Sequence, residues 1–186
     1  MLQDGQSAQE VKKRNRILKI LNPLYKKIFT SADRIHAISN FTKQLALDMG
    51  ATCPIEIVSN GVDVAHFSQD HSETELDKIR IQLNMKKNKR YLITTSRLVM
   101  VRGIEDVIHA LTDMPEYVEF LVLGEGSDKE KLQQLSVDVG VRERVHFVGQ
   151  IGHTELPKYL RVADIFVRPS TVEGFGNSFI EAMVAG

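Results

Sequence analysis

Short apolar segments alternate with segments of helical periodicity from residue 90 to the end of the chain. Four apolar runs predict strands, at residues 90–95, 118–123, 145–148 and 165–167. The stretches that follow them predict helices, at residues 104–111, 127–139, 154–162 and 177–185. This alternation is typical of an α/β fold in which a parallel sheet carries helices on both faces. Ligands bind such sheets at the carboxyl ends of the strands, so the loops that follow the strands are the candidate functional segments.

The chain before residue 90 has weaker but similar signals. Strands are predicted at residues 34–38 and 55–58, and Ser39 is the expected cap of a helix between them. A polar, irregular stretch then runs from Gly61 to about residue 73, before a further predicted helix at residues 74–83. We therefore predict three parts: residues 1–60 as the end of one domain, 61–88 as an interdomain linker, and 89–186 as a second domain.

Charge, cysteine content and hydropathy narrow the class of protein. The 24 basic and 24 acidic side chains give no formal net charge, so we predict no nucleic-acid partner. One cysteine, Cys53, cannot form an internal disulfide and indicates a reducing compartment. No apolar run approaches the roughly 20 residues of a membrane span, and the polar N-terminus lacks the apolar core of a signal peptide. We predict a cytoplasmic protein. The six histidines fit no metal-ligand spacing, so we predict no metal site.

Residues 11–29 predict an amphipathic helix with many basic side chains. From Glu10 to Thr30, seven lysines and arginines stand against a single acid, Glu10, and Pro23 interrupts the apolar stripe. A basic amphipathic helix can lie on an anionic membrane surface. It can equally pack on the rest of its domain with a solvated basic face, and Pro23 favours this second interpretation. Contact with the inner membrane face therefore stays open beside a purely cytoplasmic location.

The loop after the strand at 90–95 carries two arginines, Arg97 and Arg102. A guanidinium group is a planar fork of hydrogen-bond donors that suits a phosphate or a diphosphate. The alternative is an ordinary basic loop in solvent. The loop after the strand at 118–123 contains Gly124 and Gly126, which allow close approach of a ligand or simply form a tight turn. Lys129 stands where a dinucleotide fingerprint has its third glycine, which weighs against a dehydrogenase.

The loop after the strand at 165–167 is the most informative segment. It combines Glu173, Gly174 and Gly176 with a helix that begins at Asn177. Free N–H groups at a helix start form an anion site, and glycines let the backbone approach a phosphate. Glu173 can accept hydrogen bonds from sugar hydroxyls, and Glu181 can hold a ribose diol. Taken singly, Glu173 is also explained as an acid at a helix start, and Glu181 as a surface acid.

Together these segments resemble the family 4 retaining glycosyltransferases of the GT-B fold. The resemblance rests on Ser96-Arg97-Leu98 with Arg102-Gly103, on Gly124-x-Gly126, and on the Glu-x7-Glu element from Glu173 to Glu181. Residues 32–39 and 59–63 are similar to the end of the family's N-terminal domain and its interdomain segment. The resemblance runs from about residue 31 to the last residue.

The resemblance implies a role for each matching residue. Arg97 and Arg102 would hold the donor diphosphate, although the family has lysine at the second position; Glu173 would contact the donor sugar and Glu181 the ribose. Gly124 and Gly126 are also placed in the donor site. Backbone amides would face the sugar and phosphate at four positions: Gly174, Phe175, Gly176 and Asn177. The base would lie near residues 148–151. The donor is a nucleotide diphosphate sugar, and no other cofactor is implied.

The implied activity is transfer of a hexose to an acceptor with retention of anomeric configuration, in polysaccharide or glycolipid biosynthesis. Residues 89–186 would be an incomplete Rossmann-like donor domain, and residues 1–60 the end of an acceptor-side domain. We expect the chain alone to be an inactive fragment. A non-catalytic module that binds a nucleotide sugar is the alternative function. Another GT-B enzyme, such as a nucleotide-sugar epimerase, is disfavoured by the Glu-x7-Glu element and the Ser-Arg-Leu loop.

Overall fold

The computed structural model describes residues 22–24, 26–171 and 173–186. Their contacts divide the chain into two compact units. The first contains the described residues up to Gly61 together with 173–176, and the second contains residues 62–171 and 177–186. Most of the predicted basic helix at 11–29 lies outside the described residues, and its described parts, 22–24 and 26–29, are helical.

The first unit contains a two-stranded parallel sheet. Strand β1 (Ile35–Ala37) pairs with β2 (Ile55–Ile57), and helix α1 (Asn40–Asp48) connects them. Ser39 is the N-cap of α1, as its sequence position predicts, and its hydroxyl accepts from the backbone N–H of Thr42 at 3.3 Å. The Thr42 hydroxyl in turn accepts from the N–H of Ser39 at 3.0 Å, which completes a capping box.

The second unit is built on a four-stranded sheet in which every pair is parallel. The strands lie in the order β5-β4-β3-β6. They are β3 (Arg90–Thr95), β4 (Val118–Leu123), β5 (Val145–Gly149) and β6 (Ile165–Phe166). The helices of this unit are α2 (Val64–Phe67), α3 (Glu73–Gln82), α4 (Ile104–Ala110), α5 (Lys129–Asp138), α6 (Leu156–Arg161) and α7 (Asn177–Ala185), with 3-10 turns at Met100–Arg102 and Arg142–Arg144.

Helices cover both faces of this sheet, which confirms the predicted α/β architecture. Successive side chains of a strand point to opposite faces. Ile93 and Leu121 therefore belong to a core shared with α2, α3 and α6, whereas their neighbours Leu92 and Phe120 belong to a core shared with α4 and α5. Burial on both faces explains why apolar residues stand at successive positions, 91–93 in β3 and 120–123 in β4.

Two local predictions were wrong. The stretch from Gly61 to residue 73, predicted to be irregular, contains α2, because the 1% exposed Phe67 anchors this turn in the core. The helix predicted at residues 127–139 begins later, because α5 starts at Lys129 with Asp128 as its N-cap.

A buried carboxylate bridges β4 and β5. Glu119 is 7% exposed and lies 2.7 Å from Nε2 of His146 and 3.1 Å from Nζ of Lys89. Burial by itself raises the pKa of Glu119, but the hydrogen bonds and charges of His146 and Lys89 outweigh it and hold the pKa below the ordinary value of 4.5. A carboxyl group whose pKa is lower in the folded state than in the unfolded state stabilises the fold at pH values above its unfolded-state pKa. This contribution to the free energy of unfolding is lost as the pH falls through the folded-state pKa.

We therefore predict that Glu119→Gln flattens the acid side of the stability profile. The free energy of unfolding of the wild type should fall as the pH drops below 4.5, and that of Glu119→Gln should fall less steeply. Urea titrations at several pH values between neutrality and acid measure both slopes. Glu116→Gln, at an exposed position before β4, is the matched control and should follow the wild type. Equal acid slopes for the wild type and Glu119→Gln would contradict the assignment.

Candidate functional site

The order of the strands identifies one place on the sheet as the expected ligand crevice. After β3 the chain crosses to β4 and then β5 on one side, and it returns to place β6 on the other side of β3. Leu92 pairs with Ile165, and Ile93 with Phe166, across this boundary. In open parallel sheets, ligands bind outside the carboxyl ends of the strands where the order reverses. The loops after β3 and β6 border that point.

The loop after β3 holds both predicted arginines on a fixed backbone. Leu98, fully buried, donates its N–H to the carbonyl of Glu125 at 3.0 Å and accepts from the N–H of Asp128 at 3.1 Å. Arg97, just before this anchor, is exposed. Arg102 is half-buried at the end of the 3-10 turn, where its N–H donates to the carbonyl of Val99 at 2.9 Å.

Gly103 brings the loop after β3 against the loop after β6. Its φ of +71° is in the left-handed region, and a Cβ there would lie 2.1 Å from the carbonyl oxygen of Pro169. The N–H of Thr171 donates to the carbonyl of Val101 at 3.2 Å. The backbone at Arg102 therefore lies directly beside the segment that leads from β6 towards α7.

Gly124 and Gly126 allow a second close contact between loops. A Cβ at Gly124 would lie 1.9 Å from the carbonyl oxygen of Ser96, and one at Gly126 would lie 2.2 Å from that of Leu98. The absence of a side chain at these two positions thus lets the backbones of the loops after β3 and β4 pack closely together. This supports the interpretation of the two glycines as residues of a tight turn. A donor-binding role for the two glycines stays a prediction.

The Glu-x7-Glu segment is divided between the two units. Asn177 begins α7 and Glu181 lies half-buried one turn further on, both in the second unit. The residues before them, 173–176, belong to the first unit, where the N–H of Gly174 donates to Oε1 of Glu173 at 3.2 Å. Gly176 has a φ of +81°, which accounts for a glycine just before α7. The roles of Glu173, Gly174, Phe175 and Gly176 stay predictions.

Two charged residues at this edge were missed by the sequence analysis. Glu105, in the first turn of α4, has a buried Oε2, and burial raises the pKa of its carboxyl group. Arg168, two residues after β6, donates to the hydroxyls of Ser170 and Ser178. An apolar strand followed by Arg-Pro-Ser contains no periodic signal for such contacts, which depend on how the chain turns back at α7.

A cavity of about 260 Å³ lies elsewhere in the second unit. Its lining comes from β3, α6, β6, α7 and the segment between α6 and β6, and most of the lining side chains are apolar. Helix α7 contributes Phe179, Ala182 and Met183. Arg97 and Arg102 are not part of the lining, so this cavity differs from the predicted anion site. Within the described ranges, no three His, Cys, Asp or Glu side chains cluster closely enough to hold a metal ion. None of the helices described combines the length and the hydropathy that a bilayer crossing requires.

Two family descriptions match the chain. The family described as Glycosyl transferases group 1 matches residues 75–186, which is more than half of the chain. The chain belongs to this family. Residues 8–66 match a second description, Glycosyltransferase Family 4. The predicted resemblance to GT-B glycosyltransferases is thereby confirmed.

Several glycosyltransferases are similar to this group 1 chain. It is 28% identical over 181 residues to the GDP-mannose-dependent alpha-(1-6)-phosphatidylinositol monomannoside mannosyltransferase of Mycobacterium tuberculosis, covering 91% of the chain and 46% of the relative. It is 24% identical over 158 residues to the alpha-monoglucosyldiacylglycerol synthase of Streptococcus pneumoniae, covering 83% and 36%. Anabaena HepE in complex with UDP-glucose superposes with a TM-score of 0.80 at 22% identity, covering 92% of the chain and 48% of HepE. The group 1 chain thus spans half, or less, of the length of these relatives.

Proposed function

We propose that this group 1 chain binds a nucleotide diphosphate sugar at the carboxyl edge of its four-stranded sheet. The observation that carries the proposal is the position of Arg97 and Arg102 on the loop after β3, beside the point where the strand order reverses. The helix that follows β6, α7, begins at Asn177 and adds the N–H groups and dipole of its first turn. These groups attract an anion, and a diphosphate can accept a pair of hydrogen bonds from the guanidinium group of each arginine.

The same edge supports a chemical role beyond binding. When a sugar leaves its donor, negative charge develops on the departing diphosphate, and fixed cations stabilise that charge. Arg97 and Arg102 would supply this stabilisation without a metal. In the proposed arrangement Glu173 holds hydroxyls of the sugar, and Glu181 holds the ribose. Retention of configuration and the hexose as transferred group rest on the resemblance to family 4.

Transfer itself is proposed for the whole protein, because the relatives are more than twice the matched length. We assign residues 89–186 to the donor domain and 1–60 to the acceptor-side domain. Within the stretch predicted as an interdomain linker, 61–88, helices α2 and α3 pack on the core of the second unit, and we assign them to the donor side. The names of both relatives include a lipid, phosphatidylinositol in one and diacylglycerol in the other. We propose a glycolipid or a saccharide as acceptor, and a cytoplasmic location with peripheral membrane contact. A module that binds a nucleotide sugar without catalysis is the remaining alternative.

Calorimetric titration of the chain with UDP-glucose and GDP-mannose tests donor binding directly. We expect saturable binding of at least one of them, and about tenfold weaker binding by Glu181→Ala, since a charged hydrogen-bond acceptor for the ribose is lost. Inorganic pyrophosphate, which has no ribose, should bind the wild type and Glu181→Ala equally. Absence of binding of both nucleotide sugars to the folded wild type would refute the proposed function. A catalytic protein and a binding module are then separated by assaying sugar transfer by the whole protein.

A further inference from the structure

We propose that Arg168 is a positioning residue of the donor site, which holds the first turn of α7 in the orientation that a diphosphate requires. The inference rests on the proposed function and adds a residue to it. Arg168 lies two residues after β6 and does not belong to the segments that carry the resemblance to family 4. Its side chain is half-buried, and its partners lie on both sides of the predicted phosphate-binding segment.

The guanidinium group connects the end of β6 to the start of α7. Nε donates to the hydroxyl of Ser170 at 3.2 Å, and Nη1 donates to the hydroxyl of Ser178. Ser178 is the second residue of α7, is 8% exposed, and lies ten positions along the chain from Arg168. One planar guanidinium group therefore contacts both ends of the turn between β6 and α7.

An aromatic pair supports the same arrangement. The guanidinium carbon of Arg168 lies 6.0 Å from the ring centroid of Phe179, a distance at which a cation is attracted to the ring. Phe179 in turn meets Phe166 of β6 edge-to-face, with centroids 5.5 Å apart and an interplanar angle of 77°. The second and third residues of α7 are thus both held by groups at the end of β6.

The strand alone gives α7 little support. β6 has two residues, which pair with Leu92 and Ile93 of β3. The neighbouring Pro169 has its carbonyl oxygen against Gly103, next to Arg102. Arg168 therefore links the start of α7 to the same stretch of backbone that contacts the arginine loop. A diphosphate held by Arg97 and Arg102 would meet the N–H groups of α7 only if this link keeps the loop after β3 and the first turn of α7 at a fixed separation.

A double-mutant cycle on Arg168 and Ser178 tests the inference. Arg168→Met and Ser178→Ala should each weaken binding of the nucleoside diphosphate and of its sugar about tenfold, by the same factor for both ligands. Because Arg168 acts through Ser178, the double variant should bind both ligands with about the same affinity as the single variant that binds them less tightly. Arg168→Lys should recover part of the loss, and Lys87→Ala, at the amino end of β3, should have no effect. Hydrogen exchange in α7 should quicken in Arg168→Met.

The outcomes separate this inference from the proposed function. If the wild type binds no nucleotide sugar, both fail. If the wild type binds but Arg168→Met, measured on folded protein, binds equally well, the inference fails and the proposed function stands. A lower melting temperature with unchanged affinity would show a role in stability only and overturn the inference. Fully additive losses in the double variant would also overturn it, because they would mean that Arg168 does not act through Ser178.

Discussion

Replacing Gly124 by alanine is expected to lower the free energy of unfolding by about 4 kcal/mol or more, a loss large enough to unfold many domains. Gly124 has a φ of +133°, which alanine does not adopt without strain, and the added Cβ would lie 1.9 Å from the carbonyl oxygen of Ser96. Both penalties act at once. The loops after β3 and β4, on which the proposed donor site depends, should therefore not keep their packed arrangement in this variant.

The surrounding backbone leaves no room to relieve this contact. The N–H of Ser96 donates to the carbonyl of Leu123 at 3.1 Å, and the N–H of Gly124 donates to that of Gly149 at 2.7 Å. Moving Ser96 away from a new methyl group would break the first bond, and moving residue 124 would break the second. Each buried backbone group left without a partner costs about 1–3 kcal/mol, so either movement carries a large penalty.

Two other glycines provide matched controls for Gly124→Ala. Gly140 has a φ of +77° but open space around it, so Gly140→Ala should cost only the backbone strain, about 1 kcal/mol. Gly152 has open space and no unusual φ, so Gly152→Ala should leave stability within about 0.5 kcal/mol. Urea unfolding followed by circular dichroism gives all three values. A Gly124→Ala variant as stable as Gly140→Ala would show that the close contact between the loops is not real.

Removing both Arg97 and Arg102 should weaken binding of a nucleotide diphosphate sugar by about 100-fold or more, and each single alanine variant by about tenfold. A hydrogen bond to a charged group contributes more than one between neutral groups, and both arginines are placed to meet the same diphosphate. Arg97 is exposed and Arg102 is half-buried. Neither belongs to a core, so the variants should keep the fold while losing the ligand. Calorimetric titration measures the loss.

The matched control for the arginine variants is Lys87→Ala. It removes one positive charge from an exposed position at the opposite, amino-terminal edge of β3. An effect of overall charge would appear in this variant as well, whereas a specific diphosphate site would not respond. Arg102→Lys restores the residue expected from the family and should bind within a few-fold of the wild type. Loss of binding in Lys87→Ala equal to that in Arg97→Ala would contradict the proposed site.

Long-range strand pairing is the part of the fold that the sequence left open. The bounds of β3, β4 and α7 follow directly from apolar runs and from the turn residues beside them, and they are confirmed residue for residue. The order β5-β4-β3-β6 does not follow, because it depends on contacts such as Leu92 with Ile165, which are far apart in the chain. That order is what identifies the boundary of β3 and β6 as the expected crevice.

The residues of the candidate site differ in the same way, since some follow from local sequence patterns and others depend on contacts between distant parts of the chain. Arg97 and Arg102 could be found because two cations after a buried strand form a local pattern. The close contact at Gly124 could not be found in this way, because the carbonyl of Ser96 belongs to another loop. Arg168 was missed for a similar reason, since its partner Ser178 lies beyond a turn of the chain. Candidate ligand-binding side chains could therefore be proposed from the sequence, whereas the contacts that hold them in place could not.

The account depends most directly on where a nucleotide diphosphate sugar binds. Amide chemical shifts of the chain, recorded while UDP-glucose or GDP-mannose is added, measure this residue by residue. We predict that the changes concentrate in the loops after β3, β4 and β6 and in the first turns of α7, while the amino ends of β3 and β4 stay unchanged. Changes confined to the amino ends of the strands or to the apolar cavity, or no changes with either ligand, would contradict the account.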